Sequence, residues 1–455
     1  MPNQLAPHRR HFLGSTAAAF AGLFASGCGG GSAVGGGPVA IGPAPSPTPN
    51  PSPFPTSALI EDPQGLLDLR EGFSYRILSQ RDDVMDDGLR VPDRADGMGA
   101  FDLGDEIALV RNHELSPNQS AGGDLPSGYQ RDAAGAVLPG GTTTLVLDAD
   151  TLELKRQFRS LGGTIRNCAG GTTPWGTWLT CEEPGSRIDQ QPAHGFVFEV
   201  PAAASGMVDP KPLRAMGRFN HEAACVDPAT GIVYMTEDRD DGLLYRFIPE
   251  VAGDLAKGGR LEALALTSGV RDSRNWTSRT VERGQQLTAR WIALDNVEAP
   301  ADDLRARGAA AGALVIARGE GVYMGDGEFY LCSTSGGAAR LGQVFRVTPG
   351  LAGAADRFEL FFESENAEQF NFGDNITVAP FGDLIVCEDQ YTDVVSNRLI
   401  GITPAGESYV FGRMRLQTEL AGACFSPDGK HMFVNAYSPA TTLAITGDWA
   451  ALGRS

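Results

Sequence analysis

Acidic side chains recur at the ends of short apolar runs in this sequence, and they are the residues best placed to do chemistry. One set of runs ends in Glu114, Glu182, Glu183, Glu237, Asp238, Glu388 and Asp389. A second set begins at or just after Asp96, Asn167, Cys168, His221, Glu222, Arg318, Glu320, Asp374 and Asn375. Carboxylates gathered in one place must either protonate or recruit cations. Carboxylate and amide oxygens favour hard ions, above all Ca2+, and Glu222, Glu320, Asp374 and Asn375 would make an oxygen cage for one. Cys181 stands apart, at a run tip beside Glu182 and Glu183. It is either a buried structural thiol or a ligand, and a thiolate ligand would select a transition metal such as iron over Ca2+. Taken singly, each acid is an ordinary turn residue; the recurrence at equivalent places marks the set.

The elements that would position these residues repeat along the chain. A turn with glycine, an apolar strand, a polar tip and a second strand recur about six times. Examples are Gly104–Glu114 with Thr143–Asp148, Trp175–Glu183 with Gly195–Val200, and Gly231–Asp238 with Gly242–Phe247. Later copies run through Asp326–Ser335, Gly382–Asp389 and Asp428–Tyr437, and each copy is preceded by another short strand. Helical periodicity is nearly absent, with 301–313 the one weak candidate. Repeated blades of three or four antiparallel strands predict an all-β fold, a six-bladed β-propeller. In a propeller the start of each innermost strand and the end of its neighbour lie on one face. Both acidic sets would then meet around one channel mouth.

The chain has 455 residues and a net charge of −19, which argues against nucleic acid as a partner. Arg9-Arg10-His11-Phe12-Leu13 and the weakly apolar run that follows read as a twin-arginine signal, which would make the twin-arginine translocase a partner. That run is too short to span a membrane permanently. Ala25-Ser26-Gly27-Cys28 resembles a lipobox, so residues 1–28 are a signal peptide, of lipoprotein type if Cys28 is lipidated. Residues 29–57, rich in Gly, Pro and Ser, form a disordered tether, and 58–455 a single propeller domain. The expected product is a monomer, periplasmic or held at a membrane only through a lipid on Cys28. The other cysteines lie mostly in apolar strand-like runs, so no disulfide framework is expected. The sequence carries no GxSxG elbow, no phosphate-cradling loop and no HExxH helix.

Longer motifs extend this reading. The run Asn167-Cys168-Ala169-Gly170-Gly171-Thr172-Thr173-Pro174-Trp175-Gly176-Thr177-Trp178-Leu179-Thr180-Cys181-Glu182-Glu183 resembles the signature of the PhoX alkaline phosphatase family. So do Phe219-Asn220-His221-Glu222, Tyr234-Met235-Thr236-Glu237-Asp238, Asp374-Asn375-Ile376-Thr377-Val378 and Cys387-Glu388-Asp389. The resemblance covers about 66–449. It implies a six-bladed propeller, twin-arginine export and hydrolysis of small phosphate esters at a mixed Fe3+ and Ca2+ cluster. It also implies Cys181 and Glu182 as ligands of that cluster, with Glu222, Glu320, Asp238, Asp374 and Glu388 at the family's acidic positions and Arg318 as a clamp on a phosphate oxygen; Glu114 and Asn375 join the expected metal ligands from the strand-end reading alone. Gly319 stands where the family usually has proline, and the chain is compact, with few insertions between blades. Two other classes share the features read so far: a Ca2+-dependent propeller hydrolase of lactonase type, and a non-catalytic metal-binding propeller on a tether.

Overall fold

The computed structural model describes residues 59–185, 191, 193–390 and 396–452. The signal, Cys28 and the tether lie outside the described residues. The fold is mostly β and propeller-like. It is built from antiparallel meanders, each of which starts with a short strand that packs next to its counterparts. These inner strands are Ala95–Asp102, Asn167–Thr172, His221–Val226, Gly319–Met324, Gly373–Val378 and Leu420–Phe425. Each touches the next in chain order, and Leu420–Phe425 touches Ala95–Asp102, so the six close into a ring.

The first sheet runs outward from Ala95–Asp102 through Glu106–His113, Gly140–Asp148 and Leu154–Thr164. The last sheet, Leu420–Phe425, His431–Ala436 and Thr441–Thr446, is completed by Ser74–Gln80 from the start of the domain. This closure joins the two ends of the described domain through backbone hydrogen bonds. The third and fourth sheets share an edge, where Gln286–Ala293 pairs with Arg357–Glu363.

The apolar core lies between neighbouring sheets. Leu109 and Leu145 of the first sheet pack with Cys424 and Phe433 of the last, while Val110 and Phe101 pack with Trp178 and Phe198 of the second. Strands covered on both faces need apolar residues on both sides, which explains the near-continuous Val/Ile/Leu/Phe runs. The one predicted helix is present over Leu304–Ala311 and ends at Gly312, whose φ of 104° is left-handed. Cys168, Cys181, Cys225, Cys332, Cys387 and Cys424 are all buried and unbridged.

Candidate metal centre

Every inner strand slips register by one residue just inside its start. In the first sheet Ala95 faces His113 and Met98 faces Arg111, so three steps on one strand meet two on the other. The same bulge follows Asn167, His221, Gly319, Gly373 and Ala421. A bulge turns the extra residue out of the regular pleat. The residue placed there is Asp96, Cys168, Glu222, Glu320 and Asp374 in five sheets, and Gly422 in the sixth. The next position is small in five of the six: Gly97, Ala169, Ala223, Gly321 and Ala423. Inner strands pass in near contact at this level. A Cβ at Gly97 would lie 2.5 Å from Ala169 Cα, and one at Gly321 would lie 2.7 Å from the Asp374 carbonyl oxygen.

The neighbouring strand contributes the residue just after its own last pairing partner. His113 pairs with Ala95, Glu182 with Asn167, His221 with Glu237, Gly319 with Ser333 and Gly373 with Glu388. The residues that follow are Glu114, Glu183, Asp238, Thr334 and Asp389. These two positions, together with Glu419, build an unbroken series of buried ligand groups. Asp96, Glu114 and Cys168 form the first; Cys168, Glu183 and Glu222 the second; Glu222, Glu320 and Asp374 the third; Asp374, Asp389 and Glu419 the fourth. In each group the ligand atoms lie within 4.8 Å of one another.

So much buried negative charge distorts the protonation of the groups that carry it. Glu222 is pushed well above the usual carboxylate range, first by burial and then by Glu320, Asp374, Glu183 and Asp96. The Cys168 thiol is pushed up by burial, then by Glu114, Glu222, Glu183 and Asp96, and it donates to Glu183 Oε2 at 3.3 Å. Bound cations reverse both effects, because they favour the carboxylate and the thiolate. The donor set therefore fits metal ions: hard oxygens throughout, with one sulfur shared by two adjacent groups.

Three arginines border the ring. Arg94, Arg166 and Arg318 each stand two residues before a ligand position, and all three have left-handed backbone, with φ of 58°, 46° and 48°. A non-glycine residue in that region costs on the order of 1 kcal/mol, so its recurrence at one offset reflects the geometry of the strand entry. Arg166 Nη2 lies 2.5 Å from both Glu114 Oε1 and Glu183 Oε2. Arg318 binds Asp238 Oδ1 through Nε at 2.8 Å and Glu320 Oε1 through Nη2 at 2.5 Å. Arg94 donates to the Tyr437 hydroxyl at 2.6 Å, and that hydroxyl donates to Glu114.

The structure thus brings together Glu114, Glu222, Glu320 and Asp374 from the predicted ligand set, with Asp238 and Arg318 paired beside them. Three expected ligands are placed elsewhere. Cys181 lies in apolar core with Leu179, Val197, Phe219 and Met235, and burial alone raises its thiol. Glu182 accepts from His194 Nδ1 at 2.7 Å and from the amides of Ile165, Gly195 and Phe196. Glu388 accepts from Arg398 Nε at 2.7 Å, Arg398 Nη2 at 2.6 Å and the Asn371 amide at 2.9 Å. The physical reason is pleat: successive side chains of a strand point to opposite faces, so in each acidic pair only the second residue meets the ring. Cys168 is the thiol that lies among the grouped carboxylates, and Glu183 and Asp389 take the positions expected of Glu182 and Glu388. Asn375 ties two inner strands, its Oδ1 accepting the Gly422 amide while its Nδ2 donates to Asp374 Oδ1 at 2.8 Å.

Glu419 was not foreseen. It lies just before its inner strand, outside the repeat, and only proximity to Asp374 and Asp389 reveals it. Glu182→Gln is expected to destabilise the fold by roughly 1–3 kcal/mol, the usual cost of breaking a buried charged hydrogen-bond hub. Bound metal per folded molecule should stay unchanged, as urea unfolding and elemental analysis would read.

Comparison with known proteins places this architecture. The family described as alkaline phosphatase PhoX matches residues 54–153 and 147–440. The structure of Pseudomonas fluorescens PhoX in complex with vanadate, a transition state analogue, superposes with a TM-score of 0.68 at 18% identity, covering 86% of this chain and 97% of that one. A gluconolactonase from Xanthomonas campestris aligns with a TM-score of 0.42 at 11% identity, over 84% of this chain and 91% of that one. Among curated proteins no sequence matches. Matched by that family model over most of its length, the chain belongs to the alkaline phosphatase PhoX family, a family of metal-dependent phosphomonoesterases.

Proposed function

We propose that this protein hydrolyses phosphate monoesters at a mixed Fe3+ and Ca2+ cluster held in the mouth of a six-bladed propeller. The closed ring of six inner strands supports the blade number. The observation that carries the proposal is the unbroken series of buried ligand groups from Asp96 to Glu419, with a single thiol among carboxylates. Cys168 suits the softer iron, while the purely carboxylate groups around Asp374 suit Ca2+. When bound, such ions act as Lewis acids that offset charge developing on a phosphoryl group.

The chain's own residues supply orientation. Arg318 presents a planar guanidinium at the edge of the ring, fixed from behind by Asp238 and Glu320, and so can grip a phosphate oxygen without losing much freedom on binding. Arg318→Ala is expected to lower turnover of p-nitrophenyl phosphate by on the order of 10²-fold and to raise KM, with bound metal retained. The reading as a whole is tested by p-nitrophenyl phosphate turnover before and after chelation. Metal-loaded protein that turns over no phosphoester would end it. Vanadate, found with the Pseudomonas fluorescens relative, should act as a competitive inhibitor. Export by the twin-arginine route, with Cys28 as a lipid anchor, belongs to the same proposal and is supported by Arg9-Arg10 and the run around Cys28.

A further inference from the structure

Away from the acidic ring, the first sheet buries two guanidiniums to which no carboxylate hydrogen-bonds. Arg111 faces Thr143 across one strand boundary, and Thr143 faces Arg159 across the next, so the three lie in one row on one face of the sheet. Both arginines have 0% exposure. Arg111 gives Nε to Thr143 Oγ1 at 3.1 Å and Nη1 to Thr442 Oγ1 at 2.6 Å and Ser79 Oγ at 3.3 Å, all neutral acceptors. Arg159 gives Nη2 to the Pro139 and Gly140 carbonyls at 2.8 and 3.0 Å. Arg111 Nη2, Arg159 Nε and Arg159 Nη1 are buried without a partner.

Asp83 acts on Arg111 and Asp87 on Arg159 through space, but no surrounding carboxylate hydrogen-bonds to either guanidinium. Asp83, Asp86 and Asp87 belong to the covering segment and are exposed; their carboxylates accept the backbone amides of Gln80, Gln157 and Arg159 respectively. Asp93 is engaged by Arg81, Ser438 and the Ala440 amide. His113, buried between Thr143 and the Asp93 carbonyl, is held neutral by burial and by both arginines. Burial lowers Arg111 to about 9 and Arg159 to about 10, so both remain cationic at neutral pH. Two buried charges without a hydrogen-bonded counterion carry a heavy desolvation cost.

We propose that the first sheet encloses a small inorganic anion of chloride size, held by the unpaired donors of Arg111 and Arg159. The guanidiniums stand on either side of Thr143 in that row, and neither is open to solvent. A phosphate ester does not fit such a place, and the anion is a structural counterion independent of the metal centre.

The test uses the full, metal-loaded chain melted at constant ionic strength in sodium gluconate, sodium chloride or sodium bromide, together with anomalous diffraction from crystals grown in bromide. The melting temperature should rise by a few degrees in chloride or bromide over gluconate. A bromide peak should lie within hydrogen-bond reach of Arg159 Nε and Nη1. Arg159→Met should abolish the chloride dependence. If that variant fails to fold, the bromide map of the unaltered protein decides alone. Water or no density between the two arginines, with equal melting in chloride and gluconate, would overturn the proposal.

Discussion

Cys168→Ser is expected to lower phosphomonoester turnover by on the order of 10³-fold and to release bound metal, whereas Cys181→Ser leaves metal content and kcat close to the unaltered protein. The difference follows from position. Cys168 belongs to two of the four ligand groups, so removing its sulfur opens both at once. A serine hydroxyl does not ionise at neutral pH and is a poor substitute for a thiolate. Loss of one strongly held Lewis acid is worth several kcal/mol of barrier, and about 4 kcal/mol corresponds to the stated factor. Cys181 sits among apolar side chains, where a hydroxyl costs about 1–3 kcal/mol of stability without touching the ring. Iron analysis, turnover and thermal melting on the two variants separate these outcomes. A Cys168→Ser protein that keeps its metal and rate would remove the sulfur from the centre.

Chelation is expected to lower the melting temperature by roughly 10 °C at pH 8, and the loss should be smaller at pH 5. The magnitude follows from releasing several ligands bound far above their dissociation constants. The pH dependence follows from Glu222, whose carboxyl is raised by burial and by Glu320, Asp374, Glu183 and Asp96 once cations are gone. A carboxyl raised in the folded state favours folding fully below its unfolded value of about 4.5. That contribution is lost as pH climbs through the raised value, because the unfolded chain ionises first. The stripped protein should therefore melt lower at pH 8 than at pH 5. The metal-loaded protein should show the opposite slope, since protons and cations compete for the same oxygens. Calorimetry at the two pH values, with and without chelator, checks both signs. Equal melting of loaded and stripped protein would mean that the acids are compensated by Arg166 and Arg318 alone.

The repeat was legible because strand and turn chemistry are local. Runs such as Glu106–His113 and Leu384–Glu388 carry β-branched and apolar residues between Gly/Asp turns, and they form strands at the expected places. The recurrence of acids at strand starts and ends was legible for the same reason, and it located Glu114, Glu222, Glu320 and Asp374. The family resemblance in the run 167–183 was correct as to family, yet that run contains two cysteines and two consecutive glutamates. Preferring Cys168 and Glu183 to Cys181 and Glu182 required knowledge of which face each residue takes.

By itself the sequence determined a repeated β-fold, an acidic ring assembled from strand ends, and a family. Only the tertiary structure decided which member of each pair enters the ring. A strand's side chains alternate with period two, so a shift of one residue exchanges inside for outside. That register is set by the bulge after Ala95, Asn167, His221, Gly319 and Gly373, and by pairing with the adjacent strand. The contacts that made Glu419 a neighbour of Asp374, and Asp96 a neighbour of Cys168, join residues far apart in the chain. They exist because Ser74–Gln80 closes the last sheet and the six inner strands meet in a ring, an outcome of packing that no local spacing encodes.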